Sequence, residues 1–155
     1  MSKPEFVYVT YIETTPEKLW DALTKSDFTR LYWFGTEVRS DWKVGSPFAL
    51  VTNGTTTDSG EILEADRPRL LSYTFKHVRD PEMSKERASK VVFTLEPFGK
   101  LVKLTLTHED FVAGSLLLDG ISKGWPAILS ALKSLLEKGT AIAIPPAALG
   151  IEGLA

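Results

Sequence analysis

Three stretches in the second half of the chain alternate apolar and polar residues at period two, and a long amphipathic stretch follows them. In RLLSYTFKH the period puts Leu71, Tyr73, Phe75 and His77 on one face and Ser72, Thr74 and Lys76 on the other. SKVVFTLEP has Val91, Phe93 and Leu95 as its inner set. LVKLTLTHED sets Val102, Leu104, Leu106 and His108 against Lys103, Thr105 and Thr107. Alternation of this kind predicts antiparallel strands with one apolar face and one wet face. The apolar face has to be covered. SLLLDGISKGWPAILSALKSLLEKG offers the cover, because Leu118, Ile121, Trp125, Ile128, Leu129, Leu132, Leu135 and Leu136 fall near helical spacing. One helix is predicted over about residues 115–137, ended by Gly139. Pro126 lacks the amide that would bond back to Ser122, so a kink or break is predicted at Gly124–Pro126.

The first half supplies the remaining elements. FVYVTYI, residues 6–12, is β-branched or aromatic throughout and reads as a strand. Thr15 before Pro16 is an N-cap with proline at the first helical position, and Leu19, Trp20 and Leu23 give a short helix over about 16–24. Ser26 is placed to cap a second short helix over about 27–33, with Gly35 ending it. TEVRSDW and SPFALVTN read as strands separated by the turn signal KVG. TDSGEILEAD leads into RPRLLSYTFKH through Asp66, Arg67 and Pro68, and TNGTTTDSGE reads as a polar hairpin turn. The charged link VRDPEMSKERAS is long for a hairpin and predicts a mobile flap. The tail TAIAIPPAALGIEGLA is apolar, is broken by Pro145 and Pro146, and is free to pack along the body or onto a neighbouring molecule.

Several functions are excluded or disfavoured at this level. A net charge of −2 with no basic stripe argues against nucleic acid as a partner. The absence of cysteine removes disulfides, thiolate metal sites and cysteine nucleophiles. No His, Asp and Glu cluster has metal-ligand spacing, and no cofactor motif is present, so the expectation is no metal and no cofactor. No stretch approaches the ~20 apolar residues of a membrane span, and MSKPEFVYVT lacks the apolar run of a signal peptide. The expected location is cytoplasmic, without membrane partners.

The ordered words TPEKLWDALT, WKVGSPF, GEILEADRPRLLSYTF, LTLTHEDF and GWPAILSALKSLLE resemble the SRPBCC (START/Bet v-like, helix-grip) superfamily, and within it the activator of heat-shock protein 90 ATPase homologue family. The resemblance covers about residues 5–138. It implies an α+β helix-grip fold of order β-α-α-β(about six)-α, with a curved antiparallel sheet wrapped around the C-terminal helix and a cavity between them. Residues 1–138 would form the single domain and residues 139–155 an appended tail. The function it implies is binding of an apolar small molecule, lipid-like or aromatic. Two alternatives stand beside it: a stress-response interaction module with a chaperone of the heat-shock protein 90 class as partner, and an enzyme of cyclase or aromatic-ring type. Monomer and homodimer are both open.

The cavity that the resemblance implies would be lined by Tyr8, Thr10, Trp33, Phe48, Leu71, Tyr73, Phe75, His77, Phe93, Leu106, His108, Trp125 and Leu129. His77 and His108 end inward-facing alternations, where an imidazole serves as base, ligand contact or rim cap. Tyr8, Thr10 and Tyr73 carry hydroxyls that need a partner or a ligand if buried. Trp125, beside the proline, reads as a helix-to-sheet anchor. No G-x-S-x-G elbow occurs, and no catalytic residue is legible. RLYWFG places three aromatics in a row, which suits a core corner, a stacking platform or a cavity rim. Tyr32 follows the helix stripe inward with Phe28, so Trp33 or Phe34 must turn away. The acidic chain disfavours a stacking platform, and Trp33 is the expected gate.

Overall fold

The structure is a computed structural model and describes residues 4–150; residues 1–3 and 151–155, the ends of the expected domain and tail, lie outside the described residues. Its elements are β1 (Phe6–Ile12), α1 (Pro16–Thr24), α2 (Ser26–Tyr32), β2 (Thr36–Ser40), β3 (Pro47–Thr52), β4 (Thr55–Asp66), β5 (Leu70–His77), β6 (Ser89–Phe98), β7 (Leu101–Glu109), α3 (Leu116–Lys138) and α4 (Pro146–Leu149). Seven strands form one curved antiparallel sheet in the order β1-β7-β6-β5-β4-β3-β2. This is the α+β helix-grip architecture expected from the sequence.

Local chemistry explains the boundaries. The Thr15 side chain accepts a bond from the Lys18 amide at 3.2 Å and caps α1. Asn53 and Gly54 both have positive φ, 51° and 78°, and join β3 to β4 as the two-residue turn that strand twist favours. The whole predicted inner set of β5, β6 and β7 is buried, and α3 lays Leu117, Ile121, Trp125, Leu129 and Leu132 against it. Ser115 caps α3, its hydroxyl accepting from the Leu118 amide at 3.0 Å.

Three local expectations are corrected. Ser26 does not cap α2 but is its first helical residue. A single residue, Lys25, ends α1 and starts α2, which leaves no room for a separate cap. No break occurs at Pro126, and α3 runs as one helix of 23 residues. Burial of Ile121, Trp125 and Ile128 on either side of the proline holds the helix to the sheet across the missing bond. The charged link is no free flap. The Lys76 ammonium donates to the Ser84 and Glu86 carbonyls, both at 2.8 Å. The Glu86 carboxylate accepts from the Ser115 hydroxyl at 2.6 Å and the Leu116 amide at 2.7 Å, tying the link to the start of α3.

Candidate functional site

Between the sheet and α3 lies a free space of about 40 Å³. Its walls are Leu50 and Phe75 from the sheet, Ile121, Trp125 and Ile128 from α3, and Trp33 and Phe34 from the end of α2, with Asp58 as its ionisable group. Water needs roughly 10–15 Å³ of such space, so as it stands the grip holds a few waters and no lipid. Aromatic packing has filled it. Trp125 meets Trp33 edge-on at 5.2 Å and Phe93 at 5.9 Å, and Tyr73 stacks on Phe48 at 4.0 Å.

Of the sequence-predicted lining, Trp33, Phe75 and Trp125 meet at this space. Phe48, Leu71, Tyr73, Phe93, Leu106 and Leu129 are buried in the surrounding core. Tyr8 and Thr10 are half-buried on edge strand β1, where Tyr8 stacks on Phe6 with ring centres 6.4 Å apart. The aromatic corner is also resolved. Tyr32 is buried, its hydroxyl donating to the Ala22 carbonyl at 2.8 Å, and Trp33 is buried beside it. Phe34 is the residue that turns away, half-buried and in the left-handed region at φ 50°.

Both histidines are buried, and each has both ring nitrogens bonded within the protein. The Asp80 amide donates to His77 Nε2 at 2.9 Å, which leaves the proton on Nδ1 to be donated to Asp58 Oδ2 at 3.0 Å. The Thr57 hydroxyl donates to the other Asp58 oxygen at 2.7 Å. Around His108 the donors run in one direction. Trp125 Nε1–H donates to Nδ1 at 3.0 Å, Nε2–H donates to the Ser89 hydroxyl at 2.7 Å, and that hydroxyl donates to the Phe75 carbonyl at 3.0 Å. Neither ring has a nitrogen left for a substrate proton. Sequence reasoning missed Asp58 as the partner of His77, although antiparallel pairing of β4 and β5 places the two opposite each other.

Burial pushes the His108 pKa down to about 3. In the unfolded chain an imidazole titrates near ~6.5, so between those values the unfolded state binds the proton and the folded state does not. Stability is therefore complete above the unfolded value and falls as pH drops below it. The expected slope from this one group is about 1.4 kcal/mol per pH unit. Urea midpoints at pH 6 and pH 5 check it against His108→Gln, which keeps an acceptor and a donor but cannot titrate in this range.

Tyr73 behaves differently. Burial, then the neighbouring Tyr32 and Asp58, raise its pKa well above the ordinary phenol value and keep it a neutral phenol. Among the described residues no three His, Cys, Asp or Glu side chains are grouped to hold a metal ion. Among the same residues no helix is long and apolar enough to cross a membrane.

The sequence profile described as activator of Hsp90 ATPase homolog 1-like protein matches residues 13–137, from the end of β1 to the end of α3. The chain belongs to that family. Among solved structures it is similar to protein MLL2253 of Mesorhizobium loti, with 27% identity and a TM-score of 0.75 over 87% of this chain and 98% of that one. An HSP90 activator from Plasmodium falciparum shares 23% identity at a TM-score of 0.72, over 85% of this chain and 95% of that one. The Aha1 dimer from Colwellia psychrerythraea shares 21% at 0.71, over 88% of this chain and 98% of that one. No curated protein matches. The stretch that the profile matches ends within the last turn of α3.

Proposed function

We propose that this family member binds an apolar small molecule in the grip between the sheet and α3. In this reading residues 1–138 are one ligand-binding domain and residues 139–155 an appendage. The observation that carries it is the wall made by Trp33 and Phe34. Both side chains hang from the joint where α2 stops and the backbone turns left-handed at Phe34 and Gly35. Rotation at that joint adds the volume of an indole to the free space, turning room for waters into room for one or two rings. Asp58 then offers the ligand a polar contact. Native mass spectrometry of protein purified from its own source tests the reading. A co-purifying apolar mass supports it; a clean apo mass, with no binding from a panel of ring compounds, overturns it.

Trp33 also provides a direct probe of that wall. Trp33→Ala is expected to lose about 3 kcal/mol of stability, because the side chain is 7% exposed and packs on Trp125. Added indole is expected to occupy the vacated space and recover several degrees of the lost melting temperature by mass action. The shift in wild type is expected to be smaller, because there the indole ring of Trp33 occupies the space. A thermal melt with and without millimolar indole decides it.

A second reading, docking to a chaperone of the heat-shock protein 90 class, is favoured by the nearly filled grip and by the HSP90 activator among the similar structures. Its test is capture of the chaperone with stimulation of its ATPase. Lack of both removes it.

A further inference from the structure

A larger cavity lies outside the grip. Gly139 ends α3 in the left-handed conformation at φ 81°, and the Ser134 hydroxyl donates to the Thr140 carbonyl, so the chain is turned back as it leaves the helix. The segment from Ile142 to Pro146 then forms one wall of a pocket of about 430 Å³ whose other walls are the end of α2 and the middle of α3. Ligand sites commonly measure ~300–1,000 Å³, so this pocket is of small-molecule size where the grip is not.

The walls define what fits. None of the lining residues carries a charge, and the Tyr32 hydroxyl among them is already bonded to Ala22. A charged guest would lose its hydration with nothing to pair it. Ala127 and Ala131, one helical turn apart, present only methyl groups and leave depth between α3 and the tail. Leu31 and Ile142 stand on opposite walls, 60% and 49% exposed, as apolar surface that a guest would cover. Phe34 lines both this pocket and the grip.

We propose that this pocket is a second binding site, for an uncharged apolar molecule of one to three rings, with the tail as its retaining wall. The tail wall lies outside the stretch that the family profile matches. It does not depend on the grip being a ligand site.

The probe is N-phenyl-1-naphthylamine, an uncharged two-ring-system dye that fluoresces when removed from water, titrated into the full chain. Saturable 1:1 binding is expected, with shifts of the Ala127 and Ala131 methyl resonances. Leu31→Asp and Ile142→Asp are each expected to weaken binding at least tenfold, since a carboxylate in the lining must be desolvated, and tenfold is only about 1.4 kcal/mol. Both positions are exposed, and an unchanged melting temperature verifies the fold. Leu50→Ala, which enlarges only the grip, is expected to leave the affinity unchanged. The proposal is overturned if the two aspartates have no effect while Leu50→Ala changes affinity, because the dye then sits in the grip, as the proposed function would have it. It is equally overturned by absence of saturable binding, which leaves the grip to its own co-purification test. Concentration-dependent dimerisation that Ile142→Asp abolishes would assign the pocket to a second copy instead, and overturns it too.

Discussion

Trp125→Ala is expected to remove about 4 kcal/mol or more from the unfolding free energy, the largest loss available from a single side chain in this protein. Two terms add. The ring is 2% exposed and touches Trp33, Phe75 and Phe93, so truncation leaves a cavity bounded by rigid aromatics that cannot collapse into it. The indole N–H is also the donor to His108 Nδ1, and its loss strands a buried acceptor at a cost of about 1–3 kcal/mol. Domains of this kind have about 5–15 kcal/mol in total, so the alanine variant stands near the edge of folding. Trp125→Phe separates the terms, because it keeps most of the ring and deletes only the N–H. Its expected cost is about 2 kcal/mol, read from urea denaturation followed by circular dichroism. A phenylalanine variant as stable as wild type would show that the indole bond to His108 contributes nothing.

The same residue shows how far the sequence carries. Period two in three strands and period 3.6 in the closing helix are read along the chain, and they placed the sheet face, α3 and Trp125 as its anchor. What hydrogen bonds Trp125 is a different matter. His108 and Ser89 come into register only when β6 and β7 pair, with Val91 opposite His108, and no local pattern encodes that alignment. Asp58 was hidden for a similar reason. It lies in a polar hairpin segment, and its approach to His77 depends on pairing carried through a register shift between Ile62 and Glu64.

The errors also have physical causes. Proline rules describe an isolated helix, whereas α3 is held along its length by buried side chains, so Pro126 removes one bond without interrupting it. Loop length suggested a free flap, but the link is held at Ser84 and Glu86 by bonds to Lys76 and to the start of α3, which depend on tertiary contacts. The cavity was expected between sheet and helix from the family's architecture. Its free volume is set by which rotamers the aromatics adopt, which composition does not specify, and the side chains of Trp33, Phe48, Phe75 and Phe93 around Trp125 and Tyr73 have nearly closed it. The outer pocket was out of reach because its wall is an irregular tail with no period to read.

Gly60→Ala is the second substitution expected to have a large effect, at about 3 kcal/mol, and it acts on the backbone instead of the core. Glycine inside a strand pattern signals either a bulge or a close approach of another chain segment. Here it is the approach. A Cβ on Gly60 would stand 1.9 Å from the Thr74 carbonyl oxygen and 2.7 Å from its carbon, so β4 and β5 would have to separate. That movement breaks the bond from the Glu61 amide to the Thr74 hydroxyl at 2.9 Å. It also shifts the strand that carries Tyr73, Phe75 and His77 on its inner face. Gly99→Ala is the matched control. Nothing lies within 4 Å of the added methyl there, and only the positive φ of 63° opposes it, a strain of about 1–2 kcal/mol. The expected order in urea midpoints is wild type, then Gly99→Ala, then Gly60→Ala. His77 and Asp80 amide exchange should be faster only in the Gly60 variant, since the displaced strand holds the buried pair of His77 and Asp58. Equal losses in the two variants, with exchange at Asp80 unchanged, would mean that the strands do not meet at Gly60. The site around Asp58 would then owe its geometry to side-chain packing alone and not to the close contact of the two backbones.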